Sequence, residues 1–338
     1  MLKIPGRLAA IATLCLAIAP AQALDKVRFS INPRIYSYLP LMLAVDKGLF
    51  KAEGIEVEVI TYGGSALSQI PMLARGDQDL AGMVTGPGFF NQKAGGFGIK
   101  LVASMAQAKK GWHDTMWVMV RQDLWDKGKV KSYKDLKGMK VEGGPQGSPV
   151  WLTSMHALRH ADMTLKDVQW SERLRSVSDA IPLFKNNAIE VLTMVEPIVG
   201  ALQANKLAVR WKPSWEVMPW FQESYLAANP KFLTEKRDVT KRFLKAFLKG
   251  VQIVCAGKGK WSDEMVASVV KWSKFPAKVI RSIPGPQHVC QAGLIDIASI
   301  TRQQKIWMDA GMVKIKTPIK ELVDTSLIDE VRKDMGIK

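Results

Sequence analysis

Four short segments of this 338-residue chain set glycine or proline beside hydrogen-bonding side chains, in strand-to-helix loops. They are Asn32-Pro33-Arg34-Ile35-Tyr36-Ser37-Tyr38 after Val27–Ile31, Gly63-Gly64-Ser65-Ala66 after Val57–Tyr62, Thr85-Gly86-Pro87-Gly88 after Leu80–Val84, and Pro145-Gln146-Gly147-Ser148-Pro149 further on. Where such a loop opens a helix, unpaired backbone N–H groups and the positive dipole end favour anionic ligand atoms. Ser65 and Ser148 suit helix N-caps, Gly64 and Gly147 before them allow close backbone approach, and Pro149 fits a first helical position. Both serines also read as plain caps. Arg34 is a direct counter-charge, because a guanidinium can hold a carboxylate or sulfonate by two hydrogen bonds; an exposed arginine is the competing reading. Tyr36 and Tyr38 read as site aromatics or as core. Trp151, one turn past the Ser148 loop, offers a face to a ligand or a ring to the core. Glu196, before Pro197, would accept an amino group or order its loop. The candidate ligand set is thus Arg34, Tyr36, Ser37, Gly64, Ser65, Thr85, Gly86, Gly147, Ser148, Trp151 and Glu196, with Trp112-His113-Asp114 as a secondary cluster.

Catalytic and cofactor motifs are poorly served. His156 and His160 share a helix face, as zinc ligands can, but the residues between them lack a glutamate base and no third ligand is evident. Gly95-Gly96-Phe97-Gly98 precedes no helix suited to a dinucleotide, and Gly257-Lys258-Gly259-Lys260 lacks the Ser/Thr of a phosphate loop. No G-x-S-x-G elbow and no CxxC pair occurs. The expectation is a binder with no cofactor and no metal.

The elements that must position these loops alternate. Residues 44–81, AVDKGLFKAEGIEVEVITYGGSALSQIPMLARGDQDLAG, read as helix, turn, strand Ile55–Ile60, helix and strand, with glycine at the junctions. That is the pattern of a mostly parallel sheet wrapped by helices. Residues 139–194 restart it: strand Met139–Glu142, a helix from about Ser148, a short strand at 167–170, helix Ser178–Asn187 and strand Ala188–Met194. Farther on, Val239–Val254 carries an apolar stripe of Phe243, Leu244, Phe247, Leu248 and Val251, while Met265–Trp272 and Gln287–Met308 also read as helical.

Lys3 and Arg7 precede the apolar stretch Leu8–Ala19, which is too short to span a bilayer, and Ala21-Gln22-Ala23 follows as a cleavage pattern. This reads as a secretory signal peptide over 1–23, with export to the periplasm. Losing Lys3 and Arg7 takes the net charge from +17 to +15. In an exported protein that excess points to solubility or anionic surfaces, and nucleic acid is not an expected partner. The densest cluster, Lys127, Lys129, Lys131, Lys134, Lys137 and Lys140, reads as a solvated face. Cys255 and Cys290 leave two readings open, a disulfide across about 35 residues or two separate buried thiols.

"KGLFKAEGIEVEV", "GGS", "LARGDQDLA", "DLKGMKV", "KNNAIEVLTMVEP" and "DAGM", in that order over most of residues 27–335, resemble the substrate-binding proteins of bacterial ABC importers, in the nitrate/sulfonate/taurine branch that includes binders of the thiamin pyrimidine precursor. The resemblance implies an α/β fold of the two-lobed periplasmic-binding-protein class (type II), each lobe a mostly parallel sheet flanked by helices, with the ligand cleft between them. It implies lobe one at 24–117 and 221–338, lobe two at 118–220, and crossings near Met116–Val120 and Met218–Ala227. It also implies hinge closure on a small organic anion, monomeric action and transient docking on an inner-membrane ABC permease. The rivals are an enzyme on the same fold, acting on a pyrimidine-like heterocycle, and a sensor module. Gln78, and Asn187-Ala188-Ile189-Glu190 in place of Gly-x-Ile-Asp, depart from the family pattern and weigh against transferring a named ligand.

Overall fold

The computed structural model describes residues 23–291 and 293–337. All but Ala23 of the signal peptide read over 1–23 lies outside the described residues. Ten strands run in chain order: β1 Asp25–Ile31, β2 Ile55–Thr61, β3 Leu80–Met83, β4 Lys100–Gln107, β5 Met116–Arg121, β6 Lys140–Glu142, β7 Gln169–Ser171, β8 Val191–Val195, β9 Ala208–Pro213 and β10 Gln222–Ala228. They form two five-stranded sheets, ordered β2-β1-β3-β10-β4 and β7-β6-β8-β5-β9. Each keeps a parallel core, β2-β1-β3 in one and β7-β6-β8 in the other, and each takes one strand antiparallel between two others, β10 and β5. Those inserted strands are the first that the chain builds on arriving from the other lobe.

The crossings are therefore residues 108–115 and 214–221. Residues 116–120, read as a crossing, are strand β5 of the second sheet, and 222–227 lie in β10 of the first. Alternation gave each its strand character, but which sheet it joins depends on partners distant in sequence.

The first sheet is buried on both faces along β3, β4 and β10, and on one face along β1. Val27, Phe29 and Ile31 of β1 are fully buried, and Phe29 packs edge-on against Phe243, 5.3 Å between centroids. Phe243 belongs to helix Arg237–Ala256, whose apolar stripe is buried as its spacing requires. This helix crosses helix Leu39–Asp46 at Gly250, where a Cβ would stand 2.1 Å from the Pro40 carbonyl oxygen. Only glycine permits that approach, and it fixes the helix that carries the first loop. The helix expected over Gln287–Met308 is two pieces, a 3₁₀ turn Gln287–Gln291 and helix Ile297–Asp309. Between them Gly293, at φ +97°, donates its N–H to the Ser104 carbonyl of β4 at 2.8 Å. Cys255 and Cys290 are joined in a disulfide that ties the long helix to this 3₁₀ turn.

Candidate functional site

Loops from both lobes meet over a cavity of about 90 Å³. From the first lobe, Ser37 and Tyr38 enter on a 3₁₀ turn after β1, and Gly64, Ser65 and Ala66 follow β2. Val84 follows β3. The second lobe contributes Pro145, Ser148 and Pro149 after β6, residues 174–177 after β7, and Met194 and Val195 of β8. Glu223 and Ser224, on β10 just past the second crossing, complete the wall.

Local chemistry explains the loop shapes. Ser65 caps its 3₁₀ turn by accepting the Leu67 N–H, and Ser148 caps helix Pro149–Arg159 by accepting the Trp151 N–H, both at 3.3 Å. Both caps are also cavity wall. Tyr38 fits because β3 has glycine beneath it: a Cβ on Gly82 would lie 1.9 Å from the ring. The Tyr38 and Tyr62 hydroxyls are 2.8 Å apart, and Tyr62 donates onward to the Gly82 carbonyl at 3.1 Å.

The cleft is shut. A Cβ on Gly86 would stand 2.4 Å from the Gly147 carbonyl oxygen across the cleft, and one on Gly64 would stand 3.2 Å from that of Arg175. Arg34, exposed at the mouth, donates from Nη1 to the Ser178 hydroxyl of the opposite lobe. It thus bridges the lobes at the rim and does not line the cavity.

Four other candidates lie elsewhere than the sequence suggested. Tyr36 is buried edge-on against Trp261 and beside His288, in a core cluster behind the wall. The Trp151 ring packs between Trp307 and Trp170 and donates from Nε1 to Glu172 at 2.8 Å. The Thr85 hydroxyl turns away to bond Gln303. Glu196 is fully buried and satisfied: Arg210 reaches Oε1 through Nη2 at 2.7 Å, His113 Nε2 is 3.2 Å away, and the Gly200 N–H reaches Oε2 at 2.8 Å. These bonds tie it to the helix that follows it and to β9. The histidine pair also disperses: His156 Nδ1 lies 3.1 Å from the Leu152 carbonyl, and His160 stacks on Tyr133. Among the described residues no group of three or more His, Cys, Asp or Glu is placed to hold a metal ion.

Sequence reasoning missed Glu223 and Thr115, and it held Asp114 only within a secondary cluster. The Asp114 carboxylate accepts from the Ser214 hydroxyl at 2.7 Å and the Trp215 N–H at 3.0 Å, lacing one crossing to the other. Beside it, the Thr115 hydroxyl donates to Glu223 Oε2. Burial pushes the Glu223 carboxyl up to about 7; the Thr115 hydrogen bond opposes this and the Asp114 charge adds to it. Burial also raises the Asp114 carboxyl above the usual aspartate value. The available signal was a polar Gln-Glu-Ser triplet opening a strand whose other residues are Tyr, Leu and Ala.

Residues 36–257 match the family model described as NMT1/THI5 like. The chain belongs to that family. No curated protein sequence matches it. Among solved structures, the periplasmic nitrate-binding protein of Synechocystis PCC 6803 superposes with a TM-score of 0.74 at 14% identity, covering 93% of this chain and 90% of the other. The periplasmic aliphatic sulphonate-binding protein of Escherichia coli gives 0.72 at 17% identity, covering 90% and 99%. A desulfurization enzyme gives 0.63 at 13% identity, covering 92% and 99%. At such identities the likeness is one of fold, and it establishes the two-lobed binding-protein architecture.

Proposed function

We propose that this protein is the solute-binding component of an ABC importer, capturing one small organic molecule between its lobes and handing it to a membrane permease. One observation carries the reading: loops from both lobes close over one shared cavity, joined at the rim by Arg34 and Ser178. A site split in this way is complete only when closed, so a ligand favours closure by its differential affinity for the two states. Driving the balance from 1:99 to 99:1 takes about 5.5 kcal/mol. A few charge-assisted hydrogen bonds at roughly 1.5–3 kcal/mol each supply it.

The nitrate- and sulphonate-binding neighbours, both periplasmic by name, support this role. So does the leader read over 1–23, which would deliver the protein to the periplasm. No helix among the described residues is long and apolar enough to cross a membrane. The desulfurization enzyme keeps a catalytic reading in view. Against it, no histidine or cysteine among the described residues lines the cavity, and Cys255 and Cys290 are spent in a disulfide.

Native mass spectrometry of protein recovered from its own periplasm is expected to show one bound small molecule. Removing it by unfolding and refolding should raise the radius of gyration in X-ray scattering, and adding the extract back should lower it. A profile unchanged by either step, with no bound mass, refutes capture.

A further inference from the structure

We infer that the cavity selects a small neutral or cationic molecule presenting N–H donors, and that Glu223 is the residue that recognises it. The inference rests on the solute-capture reading and names the chemical class of the solute. Glu223 is 5% exposed and lines the cavity where β10 leaves the crossing. Among the described residues the only hydrogen bond to its carboxyl comes from Thr115, and no cation pairs with it. The groups around it are Thr115 and Asp114 from the other crossing, the Tyr36 and Tyr38 phenols from the first-lobe turn, and Ser224 beside it. From the second lobe, Met194 and Val195 line the same wall and carry no charge. Of the nearby cations, Arg210 and His113 bond Glu196 and Arg34 is exposed at the rim, while Arg175 borders the cavity from the second lobe with its residue largely in solvent.

The remaining polar atoms point the same way. Tyr62 gives its proton to Gly82, so the Tyr38 hydroxyl must donate to Tyr62, leaving the Tyr38 oxygen free only to accept. The Ser37 and Ser224 hydroxyls are buried without partners and can accept or donate. The part of the wall around Glu223, a carboxyl, an acceptor phenol and two adaptable hydroxyls with Asp114 behind them, disfavours an anionic group placed there and leaves acceptors unmatched until a ligand brings donors. The cavity, smaller than the roughly 150 Å³ that accommodates benzene, limits the closed form to a molecule of about one small ring or less.

Shape-matched pairs of opposite charge that fit this volume test the inference: guanidinium against nitrate and acetamidinium against acetate, titrated calorimetrically into refolded protein. At least one cation is expected to bind at least tenfold more tightly than its partner anion. Its affinity should rise about tenfold from pH 6 to pH 8, as Glu223 becomes ionised, and its enthalpy should depend on the buffer because a proton is released. Glu223→Gln, which can still accept from Thr115, should weaken that cation about ten- to hundredfold, with thermal melting reporting whether the fold is intact. Tighter anion binding, or cation binding indifferent to Glu223→Gln, overturns the inference while leaving solute capture standing. Failure of all four compounds also overturns it; capture is then judged separately by the mass recovered with the native protein.

Discussion

Glu223 couples the site to folding stability, and the sign can be worked out before any ligand is known. Its folded-state value of about 7 lies above the ordinary 4.5 of an unfolded glutamate, chiefly through burial. Between those pH values the native protein keeps a proton that the unfolded chain has released, so stability is present below the window and falls as pH rises through it, by about 3 kcal/mol. Glu223→Gln stays neutral throughout. Urea melts of both proteins from pH 5 to pH 7.5 should show the variant gaining on the wild type as pH rises; a constant difference would mean that the carboxyl is solvated. This residue was hard to read from sequence because a lone acid in a strand has no local motif, and its meaning comes from Thr115, 108 positions away. Trp151, Tyr36 and Glu196 were over-read for the mirror-image reason. Each is close in sequence to a cavity loop, but its packing partners, Trp307, Trp261 and Arg210, come from segments that no spacing rule connects.

The strand-loop-helix alternation was legible element by element because parallel sheets place glycine and cap residues at predictable junctions. Ser65 and Ser148 were found through that grammar. Breaks caused by tertiary contacts were not legible: Gly293 interrupts an apolar periodicity by donating to β4, which sequence period alone does not report. The Cys255–Cys290 bridge acts at this scale. It closes a loop with a sequence separation of 35 and ties helix Arg237–Ala256 to the 3₁₀ turn that holds His288. The chain-entropy relation assigns such a loop about 3–4 kcal/mol. Paired Cys255→Ala and Cys290→Ala substitutions should lower the unfolding free energy by about that amount in urea titration. Ligand affinity should barely change, since neither cysteine lines the cavity. A loss well under 1 kcal/mol would show that the reduced chain keeps those elements together without the bridge.

At the scale of the whole molecule, closure depends on two backbones passing almost in contact, and that contact offers a clean way to separate closing from folding. Gly86 has extended backbone, φ −179° and ψ −180°, which alanine adopts without strain. Within its own lobe an added methyl meets Leu67 Cδ1 at 3.0 Å, and that flexible end can shift. Across the cleft it meets the Gly147 carbonyl oxygen at 2.4 Å, where the obstacle is backbone held against Pro87. In an open protein the methyl faces solvent, so Gly86→Ala should leave ligand-free stability nearly unchanged while excluding the fully closed state. The same substitution at Gly147 would be ambiguous, because φ +79° already strains a side chain there. The expected result for Gly86→Ala is a ligand-free melting temperature within a degree or two of wild type. The scattering profile should fail to contract on adding the native solute, and affinity should fall at least tenfold. Contraction equal to the wild type would mean that the lobes close along another path and that the Gly86–Gly147 contact does not govern capture.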